Sequence, residues 1–150
     1  MKRIIILIMF AATTSAANAQ AAQDSVKNAV QYLFKGMKAG DAEIIRMAFT
    51  DSAVLQTIVQ DKEGKTKVIA ESISAFANSV ASLPPGAADE QITFETIKID
   101  GPLAIVWAPY KFYFKGKFSH CGIDSFQLVK IDGVWKIQYI IDTRKRAGCE

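Results

Sequence analysis

The chain has 150 residues, of which 50% are apolar and 22% charged, and its formal net charge is +3. This composition excludes a disordered tail or a collagen-like repeat, and the length suits one domain with a hydrophobic core. Two cysteines are too few for a disulfide-dense miniprotein. A single globular domain is therefore expected.

The first nineteen residues have the pattern of a secretory signal peptide. Lys2 and Arg3 precede the apolar run Ile4–Ala12, and Ala17-Asn18-Ala19 is a small-x-small cleavage site. The run is shorter than the ~20 residues that span a bilayer. We therefore predict a Sec-type signal peptide over residues 1–19.

Cleavage there would leave one domain over residues 20–150. The expected location is periplasmic or secreted in a bacterium, not as a lipoprotein, because no cysteine lies near the cut. No membrane contact is expected after cleavage. The leader carries two positive charges and no acid, so the mature domain is nearly neutral, which argues against nucleic-acid binding.

Export changes the interpretation of the two cysteines. Cys121 and Cys149 form an even count in an oxidising compartment, and this predicts a disulfide that could contribute ~3 kcal/mol. Metal binding is the alternative, but two thiols and a single histidine do not make a recognisable ligand set. We expect no metal and no cofactor.

Hydrophobic periodicity predicts helices first and an antiparallel meander last. Tight-turn sequences separate the last four strands, which are too closely spaced for parallel crossovers. The pattern indicates an α+β fold in which a curved antiparallel sheet of about six strands wraps around the N-terminal helices, in the order α-α-β-β-α-β-β-β-β. The elements run from Asp24-Ser25 to Gly40 (helix), Asp41 to Phe49 (helix), Val54–Gln60 and Lys65–Ile69 (strands), Ala70–Leu83 (helix), then Gln91–Ile99, Leu103–Lys115, Phe118–Ile131 and Val134–Arg144 (strands).

The turns also predict which side chains face inward. A two-residue turn at Asp132-Gly133 places Phe126 opposite Tyr139, and Asp124 and His120 continue the same face. The Gly116-Lys117 turn adds the preceding strand, and it sets Trp107 beside Phe126 and Tyr113 beside His120. Pro109 predicts a bulge, which would bring Tyr110 inward instead of Tyr113.

Asp124 is the main chemical signal, because it is an acid within an apolar stripe. Burial would favour its protonated form, as a hydrogen-bond donor or tuned acid. The alternative is a structural acceptor beside the core. His120 is a candidate acid–base partner of Asp124, or a structural histidine near the strand end.

The order of these elements resembles the nuclear transport factor 2-like superfamily, which includes steroid isomerases and polyketide cyclases. Three further segments resemble a secreted bacterial branch described as "Putative lumazine-binding". The resemblance implies a cystatin-like, cone-shaped cavity and a small heteroaromatic ligand. The superfamily segments are Ala39-Gly40-Asp41-Ala42, Phe49-Thr50-Asp51-Ser52-Ala53, Phe126-Gln127-Leu128 and Trp135-Lys136-Ile137, and those of the branch are Trp107-Ala108-Pro109-Tyr110, His120-Cys121-Gly122 and Ile141-Asp142-Thr143-Arg144.

The resemblance to the steroid isomerases covers one of three functional positions. Their general base corresponds to Thr57 here, and their catalytic tyrosine falls near Leu33, with Tyr32 one residue away. Only Asp124 matches, as the second pocket acid. Isomerase chemistry by that mechanism is therefore not expected.

Three functional hypotheses follow. The first is an exported, non-catalytic protein that binds a small apolar or heteroaromatic ligand. The second is a lyase, isomerase or hydrolase with His120 and Asp124 as acid–base pair. The third is a homodimer that pairs through outer-face residues such as Ile123, Val129 and Ile140. The predicted ligand-binding residues are Trp107, Tyr110, Tyr113, His120, Asp124, Phe126 and Tyr139.

Two expectations concern the C-terminal end. Cys121 should face outward opposite Arg144, so that its disulfide with Cys149 pins the tail across the outer side of the sheet. The basic cluster Arg144-Lys145-Arg146 is interpreted as a solvated surface, because three cations are too few to indicate nucleic-acid binding.

Overall fold

A computed structural model describes residues 2–149, with side chains from Ala19 onward. The predicted signal peptide lies almost entirely outside the residues with described side chains. No helix in the described part of the chain is long and apolar enough to cross a bilayer. The helices are α1 (Lys2–Ala39), α2 (Ala42–Ala48) and α3 (Ile73–Ala81), and the strands are β1 (Phe49–Gln60), β2 (Thr66–Glu71), β3 (Ala88–Ile92), β4 (Thr96–Asp100), β5 (Leu103–Phe114), β6 (Lys117–Ile131) and β7 (Val134–Thr143).

Local sequence signals set the helix ends, with one exception. Gly40 ends α1 with a positive φ of 68°, a conformation that glycine adopts without strain. Asp41 then caps α2, since its carboxylate accepts hydrogen bonds from the amides of Glu43 and Ile44 at 2.9 and 3.0 Å. The expected cap at Asp24-Ser25 is wrong, because α1 already runs through it. The alanine-rich stretch before it favours helix.

The strands form one seven-stranded sheet in the order β2-β1-β7-β6-β5-β3, with β4 also pairing with β5. This confirms the predicted α+β fold with N-terminal helices and a curved, unclosed sheet. Two details differ. The predicted strand 91–99 is two strands, β3 and β4, which pair with opposite ends of β5. In addition, β1 and β7 run parallel to each other.

The core lies between the helices and the inner face of the sheet. One face of α1 is fully buried at three- and four-residue spacing and packs against the longest strands. Burial of each large side chain contributes about 1.5–3 kcal/mol, so this layer is the main source of stability. It includes Val26, Val30, Leu33, Met37, Val106, Phe126, Leu128 and Ile137.

The predicted disulfide is present and joins Cys121 to Cys149, with their Cα atoms 5.8 Å apart. The expected partner of Cys121 across the sheet is wrong by one residue. Its backbone amide and carbonyl exchange hydrogen bonds of 2.9 Å with Lys145, not Arg144. The disulfide therefore fixes the segment that follows β7 against β6.

Candidate functional site

Two β-bulges determine which residues face the helices. In β7, Gln138 is an extra residue between the pairs Leu128–Ile137 and Gln127–Tyr139. The side chain of Gln138 stabilises the bulge, since Thr50 Oγ1 donates to Gln138 Oε1 at 2.8 Å. A second bulge in β6 inserts Ser119 between the pairs Phe112–His120 and Tyr113–Phe118. At each bulge the alternation of inward-facing and outward-facing residues therefore shifts by one residue.

The first bulge changes the inner face of β7. Phe126 lies opposite Ile140, not Tyr139, and Asp124 lies opposite Asp142. Ile140 is 5% exposed, so its predicted position on the outer face is wrong. Tyr139 lies on the other face of the sheet, where its hydroxyl donates to Gln56 Oε1 at 2.7 Å. Its predicted place in the cavity wall is also wrong.

The pairing of β5 with β6 shows that the predicted positions of two further aromatic residues are wrong. Trp107 pairs with Ser125, not Phe126, and its side chain is 45% exposed on the outer face, between the buried residues Val106 and Ala108. Tyr113 packs edge-on against Phe118 and lies outside the cavity. Tyr110 faces inward. Of the two tyrosines that the sequence left open, Tyr110 and not Tyr113 therefore faces the cavity. The bulge responsible is at Ser119 and not at Pro109, where it was predicted.

The inner face of the sheet and α1 enclose a cavity of about 60 Å³, measured as the space open to the centre of a water molecule, and its mouth is open to solvent. Of the seven predicted ligand-binding residues, Tyr110, His120, Asp124 and Phe126 line it. One end of the cavity is apolar and the other carries charged and polar groups. The full lining is Leu33, Phe34, Met37, Leu55, Thr57, Glu71, Phe76, Glu90, Tyr110, His120, Asp124, Phe126, Ile140, Asp142 and Arg144.

Asp124 lies at the centre of the polar end. It is 4% exposed, and its Oδ2 atom is buried without a hydrogen-bond partner among the described residues. Burial first, and the neighbouring Glu90 carboxyl second, raise the pKa of Asp124 well above its usual range. A buried carboxyl oxygen without a partner is costly, so this atom is available to a hydrogen-bonding ligand.

Glu90 is a second cavity acid that sequence reasoning missed. It lies on β3, opposite Phe112, and its side chain reaches the carboxyl of Asp124. Burial, opposed in part by the interaction with Asp124, raises the pKa of Glu90 to about 7. The two acids therefore titrate as a pair that holds a proton near neutral pH. The polar pattern of β3 (Asp89, Glu90 and Gln91) gave no signal that one of its acids faces inward.

Tyr110 connects three strands at this end. Its ring lies over Gly122 on β6, and its hydroxyl is 2.9 Å from the carbonyl of Thr143 and 3.2 Å from Asp142 Oδ2 on β7. Burial and the nearby carboxylates raise the pKa of Tyr110, so the hydroxyl stays protonated and donates a hydrogen bond to one of these oxygens.

Arg144 supplies the positive charge of the cavity. Its Nε atom donates to Asp142 Oδ2 at 2.9 Å, and an Nη atom donates to Thr57 Oγ1 at 3.1 Å. The guanidinium is half exposed while Asp142 is buried, so the pair extends from the interior to solvent. These are two of the five N–H groups of the side chain, and the others are available to a ligand.

His120 lies at the mouth of the cavity. Its ring packs against Phe112 and Tyr110, with ring centroids 5.0 and 5.8 Å away, and Nδ1 is 3.0 Å from Ser119 Oγ. Burial, together with the charge of Arg144, lowers the pKa of His120 and favours its neutral form. His120 and Asp124 share one cavity, which keeps the acid–base hypothesis open.

Among the described residues, no group of three or more His, Cys, Asp or Glu side chains has the arrangement of a metal site. Three of the four acids that line the cavity, Glu90, Asp124 and Asp142, instead interact with one another, with Tyr110 and with Arg144.

Solved structures with this fold come from several bacteria. A nuclear transport factor 2-like protein of unknown function from Shewanella baltica OS155 is 18% identical, with 85% of this chain and 96% of that chain covered and a TM-score of 0.65. A similar protein from Methylobacillus flagellatus KT is 19% identical, covering 84% and 94% of the two chains with a TM-score of 0.64. A cystatin-like domain of unknown function from Nostoc punctiforme PCC 73102 is 16% identical, covers 85% and 80%, and has a TM-score of 0.65. These likenesses show the fold alone.

No curated protein sequence matches the chain significantly. A family model does match, over residues 21–139, and its description is "Putative lumazine-binding". The match spans both bulges and most of the cavity lining. The chain therefore belongs to the "Putative lumazine-binding" family, and its fold is that of nuclear transport factor 2-like proteins.

Proposed function

We propose that the protein binds a small, flat heteroaromatic ligand in the inner cavity and does not transform it. The observation that carries this proposal is the Oδ2 atom of Asp124, which is buried in the cavity wall without a partner among the described residues. A ligand N–H would satisfy this atom and offset the cost of its burial.

The remaining lining supports a ligand of this class. The rings of Phe126 and Phe34 pack edge to face, with their centroids 6.2 Å apart, and provide an apolar wall for a ligand ring. Glu90 and Asp124 can accept hydrogen bonds, and Arg144 can donate them. Lumazine, a fused ring system with two N–H groups and two carbonyl groups, has this mixture of donors and acceptors. The family description points to the same chemistry.

The test is a titration of the protein with lumazine and with 1,3-dimethyllumazine, which has the same ring but no N–H donor. We expect one lumazine per chain, and binding of the dimethyl compound at least about tenfold weaker, because it leaves the buried oxygen of Asp124 without a donor, which costs about 1–3 kcal/mol. Equal affinities, or no binding of either compound, would overturn the proposal.

Acid–base catalysis is the second candidate, and the observation that favours it is the presence of His120, Glu90 and Asp124 in one cavity. The corresponding enzyme would be a lyase, isomerase or hydrolase. Ligand recovered after incubation and analysed by mass spectrometry and NMR separates the two candidates. Unchanged ligand supports binding alone, and a converted product supports catalysis.

Export and self-association also remain proposals. We propose cleavage after Ala19 and a periplasmic or secreted domain over residues 20–150, which the disulfide supports. The N-terminal sequence of the mature protein tests this. Pairing of two copies through the outer face is supported by the exposed residues Leu103, Ile105 and Trp107. The mass in solution, with and without Trp107→Ser, tests it.

A further inference from the structure

A second pocket, which we call the basin, adjoins the mouth of the cavity. It is lined by Val59, Gln60, Ser119, His120, Arg144, Lys145 and Arg146. His120 and Arg144 line both the basin and the cavity, so the two spaces meet at these side chains. We name Arg144, Lys145 and Arg146 the basic rim.

Two of the three cations of the basic rim have no neutralising acid among the described residues. No described carboxylate lines the basin, and neither Lys145 nor Arg146 takes part in a salt bridge, whereas Arg144 is paired with Asp142. Asp61 follows the basin residue Gln60 in the sequence, but its carboxylate is paired with Lys67 at 3.0 Å. The rim therefore presents positive charge to solvent, whereas the cavity behind it carries Glu90, Asp124 and Asp142.

The rim is also held in place. The backbone of Lys145 makes two hydrogen bonds to Cys121, and the disulfide from Cys121 to Cys149 anchors the chain four residues further on. Arg144 is fixed by Asp142 and Thr57. The guanidinium of Arg144 is therefore already in place, and it loses less conformational entropy on binding an anion than a mobile surface side chain does.

We infer that the ligand carries an anionic substituent, a carboxylate or a phosphate ester, which binds the basic rim while the ring occupies the cavity. The inference rests on the proposed function, because it assumes a ring held by Asp124. It adds the chemical class of the ligand: a heteroaromatic ring with donor N–H groups at one end and an anion at the other. Arg144 lies between the two ends and can donate to both.

The test compares matched compounds that differ in the anion. Lumazine is compared with 6-carboxylumazine, and riboflavin with riboflavin 5′-phosphate, which places its anion on a longer tether. We expect the anionic member of at least one pair to bind about tenfold more tightly at low salt, as a charge-assisted contact would give. The gain should shrink at 0.5 M NaCl, because the rim is exposed to solvent.

The two rim cations without a salt bridge are then removed by the double substitution Lys145→Gln and Arg146→Gln. This variant should lose the gain from the anion but retain its lumazine affinity, and Lys111→Gln, which removes an exposed cation elsewhere, should leave both unchanged. Equal affinity within every pair that binds, or a gain that survives the double substitution, would overturn the inference and leave the proposed function intact.

Two other outcomes are equally decisive. If inorganic phosphate tightens the binding of lumazine itself, the rim binds a free anion, and the tethered substituent is wrong. If no compound binds at all, the proposed function fails together with the inference.

Discussion

The ring of Tyr110 occupies space that exists only because residue 122 is glycine. A Cβ atom at Gly122 would lie 2.9 Å from Cε1 of Tyr110 and 1.7 Å from the carbonyl oxygen of Thr143. Contacts this short do not occur, so one of the groups would have to move. The missing side chain lets a tyrosine on β5 cross β6 and reach Asp142 and Thr143 on β7.

Gly122→Ala should therefore destabilise the protein strongly. We expect a loss of about 3 kcal/mol or more in the free energy of unfolding, because a backbone carbonyl must shift and the Tyr110 ring is displaced. Gly64→Ala is the matched control. A Cβ there meets open space but the φ is +77°, so the cost should be about 1 kcal/mol. Urea unfolding measures both, and equal costs would contradict this role for Gly122.

Tyr110→Phe removes the hydroxyl but keeps the ring. We expect a loss of about 1–2 kcal/mol in the free energy of unfolding, because the Thr143 carbonyl and Asp142 lose a donor inside the protein. Tyr113→Phe serves as the control and should change stability by less than about 0.5 kcal/mol, as for an ordinary surface substitution. A reversed order of the two variants in thermal unfolding would contradict the inward position of Tyr110.

The two coupled cavity acids, Glu90 and Asp124, should make stability fall as the pH rises. The carboxyl of Glu90 has a pKa raised from 4.5 to about 7, so the folded state holds its proton more tightly than the unfolded state does. Its stabilising contribution is complete below about pH 4.5 and is lost as the pH approaches about 7. Asp124, whose pKa is also raised, acts in the same direction.

Glu90→Gln removes this titration and isolates the effect. Relative to wild type, the variant should gain on the order of 2 kcal/mol between pH 5 and pH 8, since each unit of pKa shift corresponds to about 1.4 kcal/mol. The lowered pKa of His120 gives the opposite slope, but both proteins retain it, so it cancels. A difference between the two proteins that is independent of pH would contradict the coupled acid pair.

The disulfide closes a segment with a sequence separation of 28 residues. Reduction, or Cys149→Ser, should cost about 3–4 kcal/mol of unfolding free energy by the loop-entropy estimate. The oxidised protein should show no free thiol on titration under denaturing conditions. One or two reactive thiols, or a reduced protein of equal stability, would contradict the structure around Cys121.

Sequence reasoning identified the elements because their signals are local. Gly40 and Asp41 mark a helix boundary by their own conformational and capping preferences, and both act as predicted. The Asp132-Gly133 turn correctly pairs Ile131 with Val134 and Leu128 with Ile137. From that point the predicted alternation holds only as far as the first irregularity.

The errors at the site come from the bulges at Gln138 and Ser119. Each shifts the residues that share a face by one, so Tyr139, Trp107 and Tyr113 leave the predicted wall. A bulge depends on contacts across the sheet, such as the bond from Thr50 to Gln138, and no local sequence rule reveals it. Asp124 was identified because β6 alternates without interruption from the Asp132-Gly133 turn back to Asp124, and the bulge of that strand, at Ser119, lies beyond it.

Asp124 in the inner cavity, and not Trp107, the half-exposed aromatic residue on the outer face, is where the ligand is proposed to bind. A lumazine titration of wild type, Asp124→Leu and Trp107→Leu at one pH separates the two positions. We expect Asp124→Leu to stay folded and to bind at least about tenfold more weakly, because no acceptor oxygen then remains for the ligand N–H, while Trp107→Leu binds like wild type. Unchanged binding in Asp124→Leu, with a loss in Trp107→Leu, would place the ligand on the outer face instead.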